Sequence, residues 1–164
     1  MVRGINDRLE KLMVALVLVA VPIAIVNDVF QLAALAFVQG GDSLAALSPE
    51  QRSALALGFL NVHRDGVSVV ELFWGLWLFP FGALVIQSRF IPKLLGVLLF
   101  GSGCAYVIES CGVLLWPEQR ELLAKVLSPP MALGEVLMVL WLLIKGTRES
   151  GAQVFAPSIV EQSE

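Results

Sequence analysis

The sequence contains few charged residues, and this scarcity excludes most soluble folds. Charged side chains make up only 15% of the 164 residues, whereas 57% are hydrophobic and the mean hydropathy is +0.82. An ordinary soluble domain is about 25% charged and about 45–50% apolar. The length favours one domain over two. Together these values predict a small multi-pass membrane protein with an all-α fold.

Residue types that catalysis and recognition often need are also scarce. Two cysteines cannot form a disulfide framework, and a single histidine excludes metal sites built on paired imidazoles. The net charge of −3 leaves no basic surface for nucleic acid. The sequence has no glycine-rich phosphate loop, nucleophile elbow or Ser/His/Asp set. It therefore predicts no catalytic residues, no cofactor and no metal site, and an enzyme is the least favoured function.

Four stretches are long and apolar enough to cross a bilayer, which takes about 20 residues per helix. They cover approximately residues 12–38, 67–86, 94–116 and 129–144. Ser128 is predicted to cap the last of these helices, with Pro129 in its first helical position. The first stretch is predicted to be an uncleaved span, because acidic residues interrupt the basic region that a signal peptide would need.

One more helix is predicted outside the four spans. Ser48 and Gln51 have the spacing of a capping box and open a helix over about 49–62. This segment is expected to lie on the outer membrane surface as an interfacial helix, or to continue into the second span with a bend at Gly66. The predicted fold is an integral membrane four-helix bundle with an extra outer interfacial helix.

The distribution of lysine and arginine predicts the orientation. With the N-terminus inside, seven of the 11 basic residues fall on the inner side and four on the outer side. Both termini are therefore predicted to be cytoplasmic, in the cytoplasmic membrane of a bacterium. Residues 1–146 would form the four-span membrane domain, and residues 147–164 a disordered cytoplasmic tail.

Each predicted span carries one acidic residue, and these acids are the candidate site: Asp28, Glu71, Glu109 and Glu135. A charge at the bilayer centre costs about 2.5–3.5 kcal/mol on the insertion scale, so four acids facing lipid would be unfavourable. Helical spacing places them largely among small or polar residues, which are typical of packed faces; Glu109, for example, shares its face with Tyr106. Asp28 fits this pattern least well. We expect the acids to point into the bundle.

The rise per residue places most of these acids in the outer half of the membrane, with Glu135 nearer the midplane. Together with Asn27, His63 and Arg64 they predict a polar pocket that opens outward beneath residues 61–65. Two interpretations stay open. The acids form a pathway for a ligand, proton or ion, or they are structural, being protonated or paired with basic side chains such as Arg120.

Small residues form two stripes in the second and third spans. In the third span they recur at intervals of seven, at Gly96, Gly103 and Ser110. In the second span they share the face of Glu71, at Ser68, Gly75 and Gly82. Small residues let membrane helices approach closely, so the third-span stripe predicts a smooth seam for a neighbouring helix.

Residues 73–108 read FWGLWLFPFGALVIQSRFIPKLLGVLLFGSGCAYVI and resemble a bacterial family of polytopic membrane proteins, the domain of unknown function 4386. Two flanking pieces resemble it in the same order, LSPEQRSALALGFLNVHRDG at 47–66 and GEVLMVLWLLIKG at 134–146. The resemblance implies the membrane class and no particular reaction. Asn61 and His63 match the family's LN-x-H pattern, which adds interest to both residues.

Two features set the chain apart from typical members of that family. Those members are longer and look like six-span proteins, so this chain is expected to be a shortened member that lacks the first two spans. Glu71 stands at a position where family sequences tend to be apolar. Missing helices would leave lateral surface free for a partner.

Two functions from different classes follow from these observations. The favoured one is a non-enzymatic accessory or interaction module that packs in the lipid bilayer against other membrane helices or against a second copy of itself. The alternative is a small transporter or ligand-binding protein that uses the intramembrane carboxylates in its outward-facing pocket.

Overall fold

The structure, a computed structural model, describes residues 6–88 and 90–153, with side chains up to Lys145. Four α-helices occupy these residues: α1 (Asp7–Gln39), α2 (Pro49–Gln87), α3 (Lys93–Leu115) and α4 (Arg120–Gln153). Each helix is long and apolar enough to cross a membrane. The predicted all-α fold with four spans is confirmed, and the described residues contain no strand.

Helix α2 begins at the predicted capping box and runs without interruption. The backbone N–H of Ser48 donates to Gln51 Oε1 at 2.9 Å, and that of Gln51 donates to Ser48 Oγ at 3.3 Å. The segment predicted as an interfacial helix at 49–62 is therefore the first part of α2. Gly66 lies within the continuous helix, and its missing side chain leaves room for the Asn27 amide of α1. Glycine is needed there for a close approach.

Helix α4 begins earlier than predicted, at Arg120, and contains both Pro129 and Pro130. Ser128 does not cap a helix; its hydroxyl donates to the Ala124 carbonyl of its own helix at 2.5 Å. Neighbouring helices and serine hydroxyls help apolar helices tolerate proline. The Ser102 hydroxyl of α3 donates to the Pro130 carbonyl at 2.9 Å beside this point.

The tail predicted at 147–164 also starts inside α4, because this helix extends to Gln153. The remainder of the predicted tail, residues 154–164, lies outside the described residues.

The helices pack in chain order, with α1 against α2, α2 against α3, and α3 against α4. Between α2 and α3 the two small-residue stripes face each other. A Cβ added to Gly103 would lie 2.9 Å from the Gly75 carbonyl oxygen, and one added to Gly82 would lie 2.9 Å from that of Gly96. At the end of the stripe the Ser110 hydroxyl donates to the Ser68 carbonyl. The predicted seam thus finds its close neighbour within the chain.

Helix α1 contacts α2 through aromatic rings. The Phe59 ring centroid lies 5.4 Å from that of Phe37 and 6.4 Å from that of Phe30. One buried core joins α2, α3 and α4, and it includes Leu78, Val85, Leu95, Leu99 and Met138.

The α1–α2 pair extends beyond α3. Because Ser68 is level with Ser110, the end of α3 at Leu115 is level with about residue 63 of α2. Asn27 of α1 contacts His63 at this same level. Residues 28–39 and 49–62, which we name the hairpin end, therefore project past α3 by about 20 Å at 1.5 Å per residue.

Candidate functional site

Three of the four predicted acids come together around α3. Glu71 of α2 interacts electrostatically with Glu109 of α3, and the Arg120 guanidinium of α4 acts on both. Tyr106 of α3 and Glu135 of α4 line the same cleft, and their side chains interact with each other. We name this group the polar cluster; it consists of Glu71, Tyr106, Glu109, Arg120 and Glu135.

Glu109 is the most deeply buried member of the polar cluster. Only 8% of this residue is exposed, and its Oε2 atom has no hydrogen-bond partner among the described residues. Glu71 and Glu135 are half-buried. Burying a carboxylate without a partner is unfavourable, so the nearby guanidinium of Arg120 compensates part of the charge.

Arg120 closes the cluster at the end nearest residues 61–65. One of its amino groups donates to Asp65 Oδ1 at 2.6 Å, and the other donates to Ser68 Oγ at 3.2 Å. The Arg120 side chain is 21% exposed, whereas that of Asp65 is 60% exposed. The ion pair between Arg120 and Asp65 therefore occupies the place where the sequence predicted the opening of the polar pocket.

Asp28 and Arg64 lie apart from the cluster, with exposed side chains. Each directly follows a residue committed to the α1–α2 contact, namely Asn27 and His63. Successive residues on an α-helix point about 100° apart, because a turn takes 3.6 residues. With Asn27 and His63 facing each other, their neighbours turn away from the bundle, and the expectation that Asp28 points inward is not met.

Asn27 and His63 instead fasten α1 to α2. The Asn27 side-chain amide donates to the His63 carbonyl at 3.0 Å, and His63 Nδ1 lies 3.1 Å from the Asn27 carbonyl oxygen. Asn27 is buried. These contacts assign a structural role to two of the seven predicted site residues.

A cleft beside the polar cluster opens sideways between α1 and α4. Its volume is about 460 Å³, and all four helices line it, through Val17, Ala20, Val21, Trp74, Trp77, Tyr106 and Glu135. Among the described residues, α1 packs on α2 and α4 packs on α3, with no extensive contact between α1 and α4. The open side of the cleft therefore faces the surroundings of the bundle at mid-depth.

Arg120 and Tyr106 belong to the polar cluster although neither was among the seven predicted site residues; Arg120 was expected only as one basic partner of the acids. Tyr106 shares a helix face with Glu109, and this spacing is the signal that identifies it. Arg120 stands outside the apolar stretches, so only the packing of α4 on α3 brings it to the acids.

The cluster holds three carboxyl groups against one guanidinium, an arrangement able to bind protons or a positively charged group. Within residues 6–88 and 90–153, no three His, Cys, Asp or Glu side chains are grouped closely enough to hold a metal ion.

Comparison with known proteins places the chain in a family. Residues 1–146 match the family model described as Domain of unknown function (DUF4386), and the chain belongs to this family. An uncharacterized protein of Archaeoglobus fulgidus is 36% identical over 80 residues, which are 48% of this chain and 45% of that protein. The match thus spans less than half the length of this relative. No solved structure matches the chain.

Proposed function

We propose that this DUF4386 member is a non-enzymatic interaction module, which packs against other membrane helices through its hairpin end. The observation that carries the proposal is the apolar surface of the hairpin end. Large hydrophobic side chains are exposed on both of its helices, including Leu32 (63%), Val38 (68%) and Leu57 (62%). A groove of about 500 Å³ lies among them, lined by Gln31, Leu32, Ala34, Leu35, Val38 and Leu60.

The length of α3 explains why this surface needs a cover. Its 23 residues reach about 34 Å, close to the roughly 30 Å hydrocarbon thickness of a bilayer. If α3 and α4 cross the membrane, the hairpin end extends into the headgroup region and beyond it. Exposed apolar patches in contact with water are typical of interaction sites. A helix or helical hairpin of a partner chain has the shape to fill the groove.

The distribution of basic residues supports a location for this surface. With both termini in the cytoplasm of a bacterial cell, the hairpin end would lie on the outer side of the cytoplasmic membrane. A protein of this kind would act by assembling with other membrane components.

Native purification in mild detergent tests the proposal. We expect the wild-type protein to purify with a stoichiometric partner or as a homo-oligomer, as measured by mass spectrometry of the intact complex. Leu32→Trp places a larger side chain in the groove and should reduce the recovered complex at least tenfold. Leu94→Trp is the matched control, because Leu94 is exposed to a similar extent (68% against 63% for Leu32) but lies on α3.

The interaction module is ruled out if the wild-type protein extracts as a lone monomer from its own membrane. Equal loss of the complex in both tryptophan variants would place the interface elsewhere on the molecule.

The orphan Oε2 atom of Glu109 favours a second candidate function, a proton or cation pathway through the polar cluster. A double Glu71→Gln/Glu109→Gln variant should then abolish uptake into proteoliposomes, followed with a pH-sensitive dye or a labelled solute. Asp28→Asn, at an exposed acid, is the control. Wild-type uptake in the double variant would eliminate this candidate.

A further inference from the structure

The cleft between α1 and α4 combines features that belong to a small-molecule site. Its volume of about 460 Å³ falls within the range of about 300–1,000 Å³ typical of ligand pockets. Residues from four helices build it, so its shape depends on the whole fold. We propose that this cleft binds a lipophilic organic cation that enters sideways from the bilayer.

The acidic side chain in the cleft favours a positively charged ligand. Among the described residues, Glu135 is the one charged side chain that lines the cleft, and it interacts with Tyr106, which lines it too. The nearest basic side chain of the polar cluster, Arg120, is bonded to Asp65 and Ser68. A carboxylate at mid-depth in a membrane is unfavourable without a counter-charge. A cationic ligand would supply that charge.

Aromatic rings line the same cleft. Trp74, Trp77 and Tyr106 all border it, and Trp77 is held in place by stacking on Phe81 at 5.4 Å between ring centroids. Tryptophan is the most favourable partner for a cation placed over an aromatic face, and this interaction strengthens where water is excluded. The combination of an acid with aromatic rings favours an ammonium or phosphonium group over a metal ion.

The wall contributed by α1 determines the rest of the ligand. Val17, Ala20 and Val21 present only small apolar side chains, and they lie in the fifteen-residue stretch of α1 between Lys11 and Asn27 that has no polar side chain. This wall suits a hydrocarbon or aryl body. The ligand class is therefore a monovalent cation whose substituents are apolar and which partitions into the membrane.

Two ions of matched shape provide the test. Tetraphenylphosphonium and tetraphenylborate are nearly the same size and carry opposite charges. We expect tryptophan fluorescence and calorimetric titration of the protein in neutral detergent to give saturable binding of the phosphonium alone. Equal binding of both ions, or of neither, would overturn the proposal.

Variants locate the binding in the cleft. Glu135→Gln should weaken phosphonium binding about tenfold or more, and Trp74→Leu about threefold to tenfold. Val17→Trp fills the cleft from α1 and should abolish binding while Glu135 is intact. Asp28→Asn removes an exposed acid of α1 outside the cleft and should bind like wild type. Unchanged affinity in Glu135→Gln would refute the site.

Thermal melting of each variant confirms that the fold is retained before binding is measured. The cation site goes beyond the interaction module and is independent of it. If Leu32→Trp loses the complex but binds phosphonium normally, the interaction surface and the cation site are separate. Loss of phosphonium binding in Glu135→Gln with a normal complex would lead to the same conclusion.

Discussion

Helix α2 contacts its two neighbours in different ways. Its contact with α3 brings the two backbones together, whereas its contact with α1 is made by side chains. Against α3 it presents Gly75 and Gly82, so that main chain packs on main chain. Against α1 it presents Phe59, His63 and Gly66, and side chains make the contact, including the Asn27 amide of α1 that fills the space beside Gly66. Within the most apolar 18-residue window, 39% of α2 is buried but only 11% of α1.

This contrast indicates that α1 has a different structural role from the other three helices. Helices α2, α3 and α4 share the continuous core and hold the polar cluster. Helix α1 is attached at one edge and forms one wall of the cleft. Substitutions in the seam should therefore damage the whole fold, whereas substitutions on α1 should loosen one helix.

The largest effect is expected from a side chain placed in the seam. Gly103→Leu would bring a Cβ to 2.9 Å from the Gly75 carbonyl oxygen, where neither backbone can yield without separating the helices. We expect the free energy of unfolding in detergent to fall by about 3 kcal/mol or more, since overpacking typically costs 1–3 kcal/mol and here meets main chain. The apparent melting temperature measures this loss.

Gly101→Leu provides the matched control two residues away on the same helix. A Cβ at Gly101 meets nothing within 4 Å, and leucine is the better helix former. This variant should be as stable as wild type. If both leucine variants melt alike, close packing of the seam is not what stabilises the α2–α3 pair.

An intermediate effect is expected where α1 is fastened. Asn27→Ala removes the amide that donates to the His63 carbonyl and should cost about 1–2 kcal/mol, because the net value of each buried hydrogen bond is near 1 kcal/mol. Protease protection or hydrogen exchange should change in α1 more than in α3.

Asp28→Ala is the neighbouring control for Asn27→Ala. Asp28 is exposed, so its removal should leave the stability within about 0.5 kcal/mol of wild type. A larger loss from Asp28 than from Asn27 would mean that α1 docks through its other face.

The smallest effect is expected from the polar end of the seam. Ser110→Ala removes the hydroxyl that donates to the Ser68 carbonyl and should cost about 0.5–1.5 kcal/mol. Ser128→Ala, which removes a hydroxyl bonded within its own helix, should have little effect on the melting temperature. Equal losses of stability in the two variants would mean that the hydrogen bond between Ser110 and Ser68 stabilises the fold no more than one within a single helix.

Much of the fold could be predicted because apolar length and residue spacing are properties of single helices. The third span was expected at 94–116 and α3 occupies Lys93–Leu115. The interval of seven between Gly96 and Gly103 requires a close neighbour whatever that neighbour is. Seven residues are nearly two helical turns, so the pattern marks one face without knowledge of the partner.

The errors arose where a local signal competes with packing against another helix. Ser128 followed by proline resembles a helix start, yet the same residues fit inside α4. Gly66 resembles a bend, but its role is to admit Asn27. The inward position expected of Asp28 failed for a similar reason. Spacing identified the polar side of α1, and only the contact with α2 decides which of two adjacent polar residues turns inward.

The repeat in the seam also determines how α2 and α3 keep their alignment. Because its contacts recur every seven residues, sliding one helix past the other by one repeat would bring Gly75 opposite Gly96 and restore most of the small-residue matches. A slip of about 10 Å would break the hydrogen bond from the Ile91 N–H to Ser88 Oγ, which measures 3.0 Å and lies in the connection between α2 and α3. The glycine repeat alone would therefore permit more than one alignment of α2 and α3, and the connection between the helices favours the observed alignment.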